Sequence, residues 1–135
     1  MGELIGNKAI ESAAIDWVMT LERMAGRNPR DARYERGPAD IESPPRVIEV
    51  KAFGKSNRGF DLWLETRQVH EARTNPNSYL YAVENVRQGD SSLFTLRVLG
   101  GDHLHRLLQR AKEQHYYTVP WPVADYDGCP TGLAD

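Results

Sequence analysis

Cysteine is all but missing from this chain. Cys129 stands alone among 135 residues, in a Gly/Pro-rich stretch near the C-terminal end. One thiol excludes an internal disulfide and a cysteine-based zinc site, and it fits a reducing compartment. Long apolar runs are absent too: none approaches the ~20 residues a membrane-spanning helix needs, so no membrane association is expected. Met1-Gly2-Glu3-Leu4 has no basic segment followed by an apolar one, so no secretory leader is expected and the cytoplasm is the default location. Strong charge of one sign is also lacking. A net charge of −2 argues against coating nucleic acid by bulk attraction, though not against gripping it locally. No Gly-rich phosphate loop is present, which weakens a nucleotide-binding reading. Internal repeats and low-complexity tracts are missing as well.

What remains has the composition of a globular protein, 40% hydrophobic and 27% charged, and a length suited to one core. A single domain is expected over residues 1–122, with 123–135 as a flexible tail. Ala9, Ile10, Ala13, Ala14, Trp17, Val18, Leu21 and Met24 recur at helical spacing, predicting a helix from Asn7, as its cap, to about Ala25, stopped by Gly26. Strands are expected around Ala32–Tyr34, at Ala39–Ile41 and, after the Ser43-Pro44-Pro45 turn, at Arg46–Phe53. Gly54–Gly59 reads as a basic loop. A helix follows over about Glu65–Arg73 with Val69 and Ala72 inward, ended by Asn75-Pro76-Asn77. Tyr79–Val83 and Leu93–Leu99 read as strands. The last helix is expected to run from a cap at Asp102 to about Gln114, burying Leu104, Leu107, Leu108 and Ala111. Trp121 reads as an anchor for the tail. This order gives an α/β fold, a mixed central sheet flanked by helices rather than a doubly wound parallel sheet.

One stretch breaks the apolar pattern. In Arg46-Val47-Ile48-Glu49-Val50-Lys51-Ala52, alternation puts Val47, Glu49 and Lys51 on one face and Ile48, Val50 and Ala52 on the other. A carboxylate and an ammonium in a buried sheet are costly unless paired or holding a metal. Asp40 lies one hairpin upstream, and Glu11 sits at the edge of the first helix's apolar stripe, which points it toward the sheet. Three carboxylates near one place repel strongly unless a hard cation such as Mg²⁺ joins them.

Pro38-Ala39-Asp40 with Glu49-Val50-Lys51, plus Glu11 as a helix acid, resembles the PD-(D/E)xK nuclease superfamily. Within it the chain is most similar to the NO VEIN-type C-terminal domain, through Gly6–Glu11, Ile48–Lys51, Gln68–Ala72 and Tyr79–Val83, over about Gly6 to Leu99. Two positions depart from that pattern: Pro38-Ala39 replaces a Gly-aromatic pair, and Gln68 stands where Glu is commoner. The resemblance implies a restriction-endonuclease-like core and a nuclease that hydrolyses phosphodiester bonds in DNA, with RNA as the alternative substrate, in a restriction or anti-phage defence setting. It implies Asp40, Glu49, the Val50 carbonyl and Glu11 as ligands of Mg²⁺, with Mn²⁺ as a substitute. Lys51 would orient water or stabilise phosphorane charge, and Gln68 would position water or DNA. Lys55, Arg58, Arg67 and Arg73 would meet the phosphate backbone without reading sequence. Many such enzymes pair subunits, so a homodimer stays open, as does a place in a larger multidomain protein or defence complex.

Two other classes compete. A catalytically inactive module of the same fold would bind nucleic acid or a partner protein. In an unrelated α/β domain, Glu49 and Lys51 would be an incidental ion pair. His103, His105 and His115 read as solvent-facing, and Tyr116, Tyr117 and Trp121 as tail packing.

Overall fold

The computed structural model describes residues 3, 4 and 6–133, so Met1 and Gly2, and residues 134 and 135 of the expected tail, lie outside it. The first helix, α1 (Asn7–Met24), follows the apolar spacing closely. Its start differs from expectation: Gly6 is the cap and Asn7 the first helical residue, with no side-chain cap bond. Its end is a Schellman motif. Gly26 adopts φ 86°, its N–H donates to the Arg23 carbonyl, and Arg27 N–H donates to the Glu22 carbonyl, both at 3.0 Å.

Five strands then form one mixed sheet in the order β1 (Arg30–Asp31), β2 (Ile41–Ser43), β3 (Arg46–Ala52), β4 (Ser78–Glu84), β5 (Thr95–Gly100). Only β3 and β4 run parallel; every other neighbouring pair is antiparallel. The parallel pair requires a crossover, and the chain supplies a long loop and the helix α2 (Thr66–Thr74). A cis Pro44–Pro45 bond lies in the β2–β3 turn.

The alternation of β3 sorts the core into two layers. Ile48 and Val50, with Tyr81 and Val83 of β4, pack under Ile10, Ala14, Ile15 and Val18 of α1. On the opposite face Leu80 and Ala82 meet Val69 and Ala72 of α2 and Leu104 and Leu108 of α3 (Gly101–Leu108). Fully burying a Val, Leu or Ile side chain contributes roughly 1.5–3 kcal/mol. At one point the backbone itself is the packing surface. Gly100 pairs with Tyr79, and an added Cβ there would lie 2.3 Å from the Tyr79 ring.

Several expectations are corrected. The first short strand is Arg30–Asp31 rather than Ala32–Tyr34, because Asp31 accepts from Arg33 N–H and turns the chain. Asp40 precedes β2 instead of lying in it. Ser91–Leu93 forms a 3₁₀ turn, capped by the Asp90 side chain accepting from Ser92 N–H, so β5 begins at Thr95. α3 is capped by Gly100 and ends at Leu108; Leu104 and Leu108 are its buried residues, while Leu107 and Ala111 are exposed. Residues 109–133 are exposed throughout and include a short helix, α4 (Val123–Gly128). Tyr116, Tyr117 and Trp121 therefore do not pack onto the core, and Trp121 stacks edge-on with Tyr126 instead. Among the described residues no helix is long and apolar enough to cross a membrane.

Candidate functional site

The site grows out of the β2–β3 hairpin. Because Ile41 is opposite Ile48, Asp40 falls beside Glu49. Asp40 N–H donates to the Ile48 carbonyl at 3.0 Å, and Asp40 Oδ2 accepts from Val50 N–H at 2.8 Å. The Asp40 side chain thus continues the ladder where the β2 backbone stops. This brings its carboxylate within hydrogen-bonding reach of Glu49.

Glu49 is held from the other side by α2. Gln68 Nε2 donates to Glu49 Oε1 at 2.6 Å, and Gln68 Oε1 accepts from Lys51 Nζ at 3.1 Å and from Glu65 N–H at 2.9 Å. The last contact belongs to a capping box, so the residue that starts α2 also ties it to the site. Lys51 Nζ stands 3.6 Å from Glu49 Oε1. Ala39, Leu64 and Leu80 complete a narrow crevice around Glu49 and Gln68.

The electrostatics follow from this enclosure. Burial first, and then the Asp40 carboxylate, push Glu49 up to about 8, with Lys51 opposing. Burial also raises Asp40, against the Val50 N–H bond and the charges of Lys51 and Arg33. Glu49 Oε2 is buried and has no donor among the described residues. An unsatisfied buried acceptor is costly, and two carboxylates in contact need a proton or a cation between them. A hard dication held by one or two carboxylates, with water and substrate phosphate completing its shell, suits this donor set. Among the described residues no group of three His, Cys, Asp or Glu side chains gathers at one point, so the pair Asp40 and Glu49 is the carboxylate set available.

Other expected residues stand apart from this cluster. Glu11 is exposed, on a helix that covers the Ile48 face while Glu49 and Lys51 occupy the opposite one; its expected turn toward the sheet is corrected. Val50, expected to lend its carbonyl, engages the site through its amide. Lys55 and Arg58 are exposed in the loop after β3. Arg67 is exposed and pairs with Glu65. Arg73 lies at the far end of α2 from Gln68 and donates to the Leu108 carbonyl, closing α3.

Two acids escaped sequence reasoning. Glu22 is buried on α1, where Arg27 Nε and Nη2 donate to its two oxygens at 2.5 and 2.7 Å and Tyr81 OH at 3.1 Å. Burial disfavours its charge, but these bonds outweigh it and hold Glu22 below the usual range. Its signal was available: Glu22 follows Val18 by four residues and so belongs to the buried stripe. Glu84 ends β4 and accepts from Asn57 N–H at 2.6 Å, Ser56 Oγ at 3.2 Å and Arg97 Nε at 2.9 Å. The Asn57 bond leads the interactions that keep it ionised.

Fold and site together define an α/β domain with a carboxylate pair, a lysine and a glutamine converging on one strand. The chain belongs to the family described as "Protein NO VEIN, C-terminal", whose model matches residues 10–96, from α1 into β5, and so spans the whole cluster. No curated protein and no solved structure matches the chain.

Proposed function

We propose that this domain is a Mg²⁺-dependent nuclease domain with a PD-(D/E)xK, restriction-endonuclease-like core, hydrolysing phosphodiester bonds in DNA. The observation that carries the reading is the buried contact of Asp40 with Glu49, one oxygen of which lacks a donor among the described residues, beside Lys51. Asp40 and Glu49 would hold the dication, which when bound supplies Lewis-acid charge and an acidified water. Lys51 brings a positive charge to where the phosphorane oxygens gain negative charge. Gln68 fixes both Glu49 and Lys51 through one amide, so their spacing is set before substrate arrives. Lys55 and Arg58 offer phosphate contacts without base readout. A cytoplasmic setting, a role in restriction or defence, and work within a larger protein belong to the same proposal; the family's description as a C-terminal region supports the last.

Cleavage of supercoiled plasmid and of labelled RNA tests it. Wild type with Mg²⁺ or Mn²⁺ should nick DNA, and Glu49→Gln should fall to background. Failure to cut DNA or RNA, together with no metal-induced change in melting temperature, would overturn the proposal. The second reading is a nuclease-fold module that binds nucleic acid or a partner without cutting; the outward placement of Glu11 favours it. In that case Asp40→Ala would retain DNA binding and no metal would promote hydrolysis.

A further inference from the structure

The loop between β3 and α2 exposes two large aromatic rings while being fastened at both ends. Near its start, Glu84 takes bonds from Ser56 Oγ and Asn57 N–H, and the Phe53 and Gly54 carbonyls accept from Val86 and Arg87 N–H at 3.1 Å. Phe60 N–H then closes a turn onto the Asn57 carbonyl at 3.1 Å. Near its end, Leu62 and Leu64 pack into the α2–α3 layer, and Glu65 N–H is held by Gln68, the residue that also grips Glu49 and Lys51. Over residues 61–64 the chain alternates, with Leu62 and Leu64 inward and Trp63 outward, and Phe60 is exposed on the turn that precedes them.

Phe60 is 73% and Trp63 78% exposed, and neither ring pairs with another aromatic among the described residues. Neither is needed to hold the loop, which its hydrogen bonds and leucines already fix. Lys55 and Arg58 share the segment; with Asp61 as its one acid, residues 54–64 carry a net charge of +1. Flat apolar rings beside cations, on a rigid support joined to the Glu49 strand, match the two parts of an unpaired nucleotide: a free base face and a phosphate. A base in a duplex is already stacked on both sides and offers no such face. The geometry points to this loop as a stacking platform for single-stranded nucleic acid, which feeds unpaired or frayed strands toward Glu49. The ligand class rests on the nucleic-acid reading of the site; the platform itself does not require cleavage.

Fluorescence anisotropy in EDTA tests it, using the full chain, a labelled oligothymidylate and a blunt duplex of equal length. Wild type should prefer the single strand by at least about fivefold. Phe60→Ala and Trp63→Ala should each lose most of that preference at unchanged melting temperature, while Trp63→Phe keeps it, because a ring is retained. Equal affinity for both ligands, alanine variants that bind like wild type, or no binding of either ligand at low ionic strength would overturn the inference, the last outcome favouring a protein partner for this loop. The two readings fail separately. Ring-dependent binding without hydrolysis leaves the platform standing and removes the nuclease. Metal-dependent cutting of duplex that ignores both rings does the reverse.

Discussion

Glu49→Gln should change how stability depends on pH, and the direction follows from the site. In the unfolded chain Glu49 loses its proton near its ordinary value of 4.5; in the fold it holds it to about 8. The folded state therefore binds a proton that the unfolded state has given up throughout this interval. Stability contributed by that proton is fully present below about pH 4.5 and is lost as pH rises toward 8. At 1.36 kcal/mol per pH unit the upper limit is about 5 kcal/mol. Water reaching a side chain that is 15% exposed, with local relaxation, lowers this to roughly 2–4 kcal/mol. Asp40 is raised too and adds to the same slope at its lower end. Glu22, Asp31 and Glu84 are shifted downward, so their opposite contributions fall below about pH 5. Urea denaturation at a series of pH values in EDTA measures the effect. Wild type should lose roughly 2–4 kcal/mol between pH 5 and 8, whereas Glu49→Gln should be nearly flat, its amide offering Asp40 a permanent donor. A wild-type profile that is level or rises over this range would refute the enclosure argument. On the proposed function, Mg²⁺ should restore stability to wild type at pH 8 and do nothing for the variant.

Glu22→Ala should cost about 3 kcal/mol in urea denaturation, because it strips Arg27 and Tyr81 OH of a buried partner. Gly100→Ala should cost roughly 1–3 kcal/mol, since the new methyl overlaps the Tyr79 ring and that ring is also covered by the Arg46 guanidinium, 4.2 Å from its centroid. Gln68→Ala should lower stability by about 1 kcal/mol through loss of the capping box. If the site is a nuclease it should also lower kcat more than it raises KM, whereas Lys55→Ala should chiefly raise KM; plasmid nicking over a range of substrate concentrations separates the two. Glu84→Gln should loosen the loop after β3, seen as faster hydrogen exchange at the Asn57 amide.

The main elements were legible where one local rule dominated. Helical recurrence from Ile10 to Met24 gave α1 to within a residue, and Pro44-Pro45 and Asn75-Pro76 marked the edges of β3 and α2. That Glu49 and Lys51 share a face was readable because alternation in a strand fixes the face; that Gln68 reaches both from α2 depends on helix–sheet packing, which periodicity does not give. Glu11 shows where this stops: periodicity says that a residue borders an apolar stripe, but not which face of the sheet that stripe will cover. α3 shows a second limit. Residues after Leu108 keep helical composition, yet only tertiary contact decides whether another turn forms, and Ala111 is exposed. The Asp90 cap replaced the start of β5 for a third reason, a side chain competing with the backbone ladder for Ser92 N–H.

The bond from Val50 N–H to Asp40 makes one amide a natural reporter. Wherever that carboxylate is drawn away, whether by titration, by a ligand or by mutation to alanine, a proton in the middle of an otherwise sealed strand becomes free to trade with solvent. Asp40→Asn, which keeps an oxygen there, should slow that trade again. The chemistry and the mechanical closure of the hairpin thus share a single atom, and neither can be altered without the other registering it.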